Sequence, residues 1–260
     1  MGTVSGWFGA RLARYLSTDV HQQGSAPPTQ TARLLATLQP GDVLLVEGRS
    51  RFSTAIKYLT QSTWSHAALY VGTEALRGTG APVGHCFVEA DVVAGVRSVA
   101  ADRFESYHTR ICRPIGLTAP DTALIAGYAV ACLGHRYDLR NVWDLARYLL
   151  PTPPVPQQFR RRMLSLGSGD PTRAICSTLI AHAFQSVRYP ILPRVDTQSR
   201  DAPDCPGCIE EILRVRHHSL FAPRDFDVSP YFAVVKPTLA QGFDFRTLNW
   251  DRDQRSVEAA

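Results

Sequence analysis

The sequence predicts an α+β fold in which an antiparallel sheet packs against helices, and three features predict it. Two β-rich pieces, His66 to Gly72 and His85 to Ala90, flank a loop carrying glycines and a proline, the pattern of paired antiparallel strands. The stretch Asp42 to Glu47 is apolar through its centre, as a buried strand is. Ile175 to Val187 sets Ile175, Leu179, Ile180, Ala183, Phe184 and Val187 on one side, a helix face suited to covering a sheet.

Taken in chain order, residues 1–17 space Trp7, Phe8, Leu12, Tyr15 and Leu16 as an amphipathic helix, expected to dock on the fold itself or to touch a membrane surface peripherally. Gly6 stands where a myristoylation signal needs Ser or Thr, so no acyl anchor is expected there. Residues 18–29 read as a connector. A helix follows over 31–38, then a Pro40-Gly41 turn, the strand 42–47 and a helix over 51–61 with Phe52, Ala55, Ile56 and Leu59 on one face. After the paired strands come a strand at 109–114 and helices at 121–133 and 141–150. PTPPVP at 151–156 breaks the chain, 157–172 reads as an inserted helix and loop, and 231–236 is a late strand before a frayed end at 251–260. The domain plan is therefore an N-terminal helix and connector (1–29), one domain (30–237) with an insertion at 139–172, and a C-terminal extension (238–260).

Composition narrows the function classes. The 260 residues contain no apolar run long enough to span a bilayer and no signal-like segment at the start, so the expected location is the cytoplasm, with membrane association left to residues 1–17. Six cysteines fall mostly in apolar segments, where reduced thiols are expected. The net charge is +5, yet the one basic run is Arg160–Arg162, too small a stripe for nucleic acid, so no nucleic-acid partner is expected.

Nucleotide loops, dinucleotide turns, zincin helices and the nucleophile elbow are all absent as motifs. Attention falls on cysteine. Cys86, Cys112 and Cys132 sit inside apolar strands or a helix and read as small hydrophobes. Cys176 stands at the first turn of the 175–187 helix, where free N–H groups and the helix dipole favour thiolate, and Ser177 and Thr178 leave room for a substrate carbonyl. A buried helix-starting Cys with no chemistry fits the same pattern. Among eight histidines, His66 begins a strand after Ser62-Thr63-Trp64-Ser65 and is the best candidate base. Pairing the two strands across their loop sets His66 opposite Glu89, and a register slip substitutes Asp91. Cys205-x-x-Cys208 reads as a thiol pair ahead of half a zinc site, because His217 and His218 are expected to diverge along an extended chain.

In order, LQPGDVLLVEG, STAIKYLTQSTWSHAALYVG, HCFVEADVVAGV, GHRYD, ICSTLIAHAFQ and APRDFDVSPYF resemble the permuted NlpC/P60 papain-like proteins of the YiiX/YaeF type, over residues 37–236. The resemblance implies a circularly permuted papain-like fold with His66, Glu89 and Cys176 at the positions of catalytic base, acid and nucleophile. It puts Tyr137 near the site, lining the pocket or packing helices; Trp64 walls the pocket or fills the core, and Ser177 is counted with the substrate-binding residues. The implied activity is a cysteine hydrolase or acyltransferase working through an acyl-enzyme on a peptide amide or a lipid acyl bond, with no cofactor and no metal. The alternative reading is a non-catalytic binding module that keeps the pocket.

Overall fold

The structure is a computed structural model and describes residues 29–91, 94–135, 175–202, 205–237, 244 and 246. Its central element is a six-stranded antiparallel sheet. In chain order the strands are β1 (Val43–Val46), β2 (His66–Tyr70), β3 (His85–Asp91), β4 (Gly95–Ala100), β5 (Thr109–Pro114) and β8 (Phe232–Val235), arranged β4-β3-β2-β1-β5-β8. A separate two-stranded ribbon pairs β6 (Arg194–Ala202) with β7 (Cys205–Arg214). The helices that matter are α1 (Thr31–Thr37), α2 (Arg51–Thr60), α3 (Ala119–Ala131), α4 (Ile175–Ser186) and α5 (Pro223–Asp227).

β1 is an unbroken apolar run because it is central and covered on both faces. Val43 and Leu45 point into one cluster with Leu69, Val88, Ile125, Leu179, Ile180, Phe184 and Phe226. Leu44 and Val46 point into the other, with Leu34, Phe87, Phe104 and Ile111. All four β1 residues are buried, and period-two alternation sends neighbours to opposite layers. α3 and α4 cover the first face and α1 the second.

Helix boundaries follow capping chemistry. Ser50 caps α2 by accepting from Ser53 N (3.1 Å), and Gln61 ends it in the left-handed region at φ 51°. α3 begins earlier than its apolar pattern predicts, because Thr118 and Asp121 form a reciprocal capping box ahead of it.

The pairing of β2 with β3 corrects the expected register. Glu89 stands opposite Ala68, and not opposite His66, a shift of two residues. The connection between the strands is no symmetric hairpin loop. Val71 and Gly72 both donate to Cys86 O (2.9 and 3.1 Å), and the buried Leu76 anchors a 3-10 turn over Glu74–Leu76. An even shift keeps each side chain on its own face, so Leu69 and Val88 still meet in one cluster.

Three elements are additional to the sequence reading: β4, the β6–β7 ribbon and α5. The expected helices at 1–17 and 141–150, the connector up to residue 28, the insertion and the frayed C-terminal end lie outside the described residues. No helix among the described residues is long and apolar enough to cross a membrane.

Candidate active site

α4 packs Leu179, Ile180, Ala183 and Phe184 into the sheet cluster, and this docking carries its first turn to the start of β2. Cys176, on that turn, is 4% exposed. Its sulfur lies within interaction range of the His66 ring and of the backbone N–H of Ala67. Burial alone pushes a thiol up, but the His66 charge and hydrogen bond, the Ala67 N–H and the neighbouring Ser177 hydroxyl outweigh it and hold Cys176 below the ordinary thiol range.

The His66 ring reaches Glu89 on its other side, with Nε2 2.7 Å from Oε2. This leaves Nδ1 as the nitrogen for the thiol. His66 keeps 26% of its side chain exposed while Glu89 keeps 1%, so the pair is open only at the imidazole. Burial lowers the affinity of the ring for a proton, yet the Cys176 sulfur and the Glu89 carboxylate raise it further, to about 10. Glu89 is pushed up by burial and pulled down more strongly by His66 and Arg97, to about 2. The shifts run in the direction that favours proton transfer from the thiol to the imidazole: the thiol and the carboxyl are lowered and the ring is raised.

Glu89 has a further partner. Arg97 donates from Nε (2.9 Å) and Nη2 (2.7 Å) to Oε1, the oxygen that His66 does not use. Arg103 adds a longer contact at 3.7 Å. Arg97 lies directly across from Glu89 in the β3–β4 ladder, on the same face. The sequence reading misses it because β4 is not assigned there; once the GVRSVA strand is placed, the position is legible.

The remaining candidates fall in different places. Asp91 is held by Arg97 Nη2 at 3.4 Å and caps the following turn by accepting from Ala94 N at 2.8 Å. Trp64 is 3% exposed and belongs to the core, its indole N–H donating to Asp227 Oδ2 at 3.0 Å. Ser177 is fully buried, and its hydroxyl has no hydrogen-bond partner among the described residues. Tyr137 lies outside the described residues, as do the side chains of Cys205 and Cys208. Cys86 and Cys112 are free and buried, and burial pushes both thiols up, Cys86 to about 11. His217 and His218 do not diverge as expected: the chain turns into a 3-10 helix at His218, and the rings sit 3.9 Å apart. Among the described residues no cluster of His, Cys, Asp or Glu has the arrangement of a metal site.

Residues 37–148 match a family model described as permuted papain-like amidase enzyme, YaeF/YiiX, C92 family. The matched segment holds His66, Glu89 and Arg97 and ends before Cys176. The activity of that family is hydrolysis of an amide bond. No curated protein matches the chain. Among solved structures, the chain is similar to metalloprotein yiiX from Escherichia coli O157:H7, with TM-score 0.44 and 18% identity, covering 76% of this chain and 96% of that one.

Proposed function

We propose that the protein is a thiol amidase in which Cys176 is the nucleophile, His66 the general acid and base, and Glu89 the group that orients the ring and stabilises its charge. What supports this reading is the His66 ring set between the Cys176 thiol on one side and the buried Glu89 carboxylate, at 2.7 Å, on the other. The thiolate attacks the amide carbonyl carbon, a C–S bond forms, and the carbonyl oxygen takes the negative charge. The first-turn N–H groups of α4 are the donors this reading assigns to that oxyanion. His66 gives its proton to the leaving nitrogen as the C–N bond breaks. Water then attacks the thioester, passing a proton back to His66, and the acid product departs with thiolate and imidazolium restored.

The test compares hydrolysis of an N-acyl amino-acid aminomethylcoumarin amide by wild type, Cys176→Ala and His66→Ala. Loss of turnover in both variants, with a thioester adduct trapped on Cys176 in mass spectra, supports the reading. Turnover unchanged in Cys176→Ala overturns it. Release of labelled fatty acid from phospholipid, against release of a dipeptide from cell-wall fragments, separates a lipid ester substrate from a peptide amide; fatty-acid release alone overturns the amide assignment.

A further inference from the structure

His182 lies on α4 further along the helix than Cys176, about 9 Å down its axis. Leu179, Ile180, Ala183 and Phe184 carry the sheet side of α4 into the core, and His182 stands outside that cluster, half-buried. There it meets the turn that follows β7. The centroid of the His182 ring is 3.4 Å from that of His218, and the His218 ring is 3.9 Å from that of His217. Tyr128 of α3 stacks on His182 with its ring nearly parallel, at 6.0 Å. Imidazoles from two separate chain segments therefore form one stack, and the roles given to Cys176, His66 and Glu89 use none of them.

The surroundings of the stack do not balance a positive charge on all three rings. Neither His182 nor His217 pairs with a carboxylate among the described residues; His217 Nδ1 meets Ser219 Oγ at 2.7 Å. From α3 come Tyr128 and, beside it, Cys132, whose proton affinities burial raises, so both stay neutral. β2 and β3, on the sheet side of α4, contribute Ala67, Leu69, Val88 and Ala90, which do not titrate. The chain after β7 contributes the cation Arg216, set over the Phe221 ring at 4.9 Å. Asp225 of α5 is shared between Arg216 at 3.7 Å and the Ala222 N–H at 3.0 Å. A hydrogen bond from Gln185 Nε2 to Arg216 O at 2.7 Å fastens this same turn to α4.

Neutral imidazoles pack as other aromatic rings do, but protonated rings this close repel, and each proton taken up makes the next harder to add. Burial and the neighbouring His217 hold His182 below the ordinary histidine value. In a turn that has left α4 each ring titrates near about 6.5. The open arrangement therefore binds more protons than the closed one as pH falls through that value, and acid favours opening. Above it the rings are neutral in both arrangements and the cost is absent.

We propose that the His182–His218–His217 stack is an acid-sensitive latch: below about pH 6.5 the 216–220 turn, with the β6–β7 ribbon that runs into it, leaves α4 while the six-stranded sheet stays folded. The latch is independent of the reading of Cys176 as nucleophile.

The experiment follows hydrogen exchange of the full chain by mass spectrometry between pH 7.5 and 5, with each rate corrected for the intrinsic pH dependence of exchange. Amides of the 216–220 turn are expected to lose protection at least about tenfold over that range, since one extra proton bound on opening is worth about tenfold per pH unit below 6.5. Amides of β1 are expected to keep theirs. His218→Phe and His182→Phe each keep an aromatic ring in the stack and remove a titrating group, from the turn and from α4 in turn, and both are expected to flatten the response. The wild type alone gives a second measurement, the Hε1 resonances of the three histidines: their midpoints are expected to spread over more than about one pH unit, with at least one below 6. Protection of the turn that does not change with pH overturns the latch, as does a loss shared equally by β1. A response that persists in both Phe variants, or three independent titrations near 6.5, overturns it as well.

Discussion

Glu89 sits opposite Ala68 in the β2–β3 ladder and still brings Oε2 to 2.7 Å from Nε2 of His66, one pair along on the same face. Diagonal neighbours on a sheet face have Cβ atoms about 7 Å apart, a gap that imidazole and a two-methylene carboxylate close together. Asp91, nearer the position directly across, is one methylene shorter and is drawn to Arg97 and to the turn that follows it. The diagonal geometry leaves Oε1 free for Arg97, so one carboxylate holds the histidine and is itself held.

Glu89→Gln tests the orienting role. An amide can hold the ring but supplies no charge, and it leaves Arg97 facing a neutral group. The expected result is a fall of roughly a hundredfold or more in kcat/KM for amide hydrolysis. The Cys176 thiol is expected to return toward its ordinary range, read from the pH dependence of iodoacetamide labelling. Full activity in the variant sinks the role given to Glu89.

Arg97→Met removes two charge-assisted hydrogen bonds from Oε1 while leaving every atom that would touch substrate. Arg97 acts through Glu89 and is a positioning residue. Without it the Glu89 carboxylate loses one of the influences that hold it near 2, and its proton affinity rises. The acid limb of the kcat/KM profile should therefore move to higher pH, with Arg97→Lys intermediate. An unchanged limb with merely lower stability assigns Arg97 a structural role only.

Which features were legible in the sequence depends on whether local pattern or tertiary pairing sets them. β1 lies inside the expected 42–47 run because it is apolar throughout, and β5 spans Thr109–Pro114 as expected although only Ile111 and Cys112 in it are apolar. α4 follows its apolar face to within a residue. β6 was not legible: RVDTQSRDA has no apolar alternation, and the strand exists through pairing with β7. The register of β2 against β3 depends on how the 71–84 connection folds, and no periodicity within the strands encodes that. In the site, His66, Glu89 and Cys176 can be singled out by position in their elements, whereas Arg97 becomes visible only when β4 is placed. Trp64 is ambiguous in sequence, since an aromatic before a strand suits a pocket wall and a core alike; it packs in the core cluster at 3% exposure and also lines a cavity beside Arg110 and Asp227.

Thiol reactivity should sort the cysteines by environment. Cys176 has the His66 ring beside it, which lowers its thiol, while burial pushes Cys86 and Cys112 upward. At pH 7 iodoacetamide is expected to label Cys176 at least about tenfold faster than either buried strand cysteine, as mass spectrometry of digests reads it. The advantage should disappear in His66→Ala. Equal rates for Cys176 and Cys86 contradict a thiolate at the α4 terminus.

Gly48 is expected to be intolerant of a side chain. Its N–H donates to Ser65 Oγ at 2.9 Å, fixing the residue before His66. A Cβ there would lie 2.2 Å from Ser53 Oγ and 2.8 Å from Ser65 Oγ. The Ser53 hydroxyl is tied to Ser50 Oγ at 2.9 Å and cannot swing away without loosening the cap of α2. Gly48→Ala should cost about 1–3 kcal/mol in urea unfolding, the usual penalty of an overpacked site, and lower turnover by displacing the start of β2. A variant as stable as wild type contradicts this packing.

Acid should weaken the fold through Glu89 in a defined window. Its folded proton affinity, about 2, is below the ordinary carboxylate value of 4.5, so the unfolded chain takes up the proton first as pH falls. The stabilisation is complete above 4.5 and is lost as pH drops from there toward 2, amounting to something on the order of 3 kcal/mol. Asp42 runs the other way: burial outweighs its Arg113 partner and raises its proton affinity, so acid relieves a cost there. The bare pH dependence of wild type mixes the two, and the informative quantity is the difference in urea midpoint between wild type and Glu89→Gln. That difference should be constant at pH 5–7 and shrink steadily between pH 4.5 and 2.5, where the wild type loses what the variant never had. A difference that stays constant across the acid range would mean that Glu89 is not held as a carboxylate by His66 and Arg97.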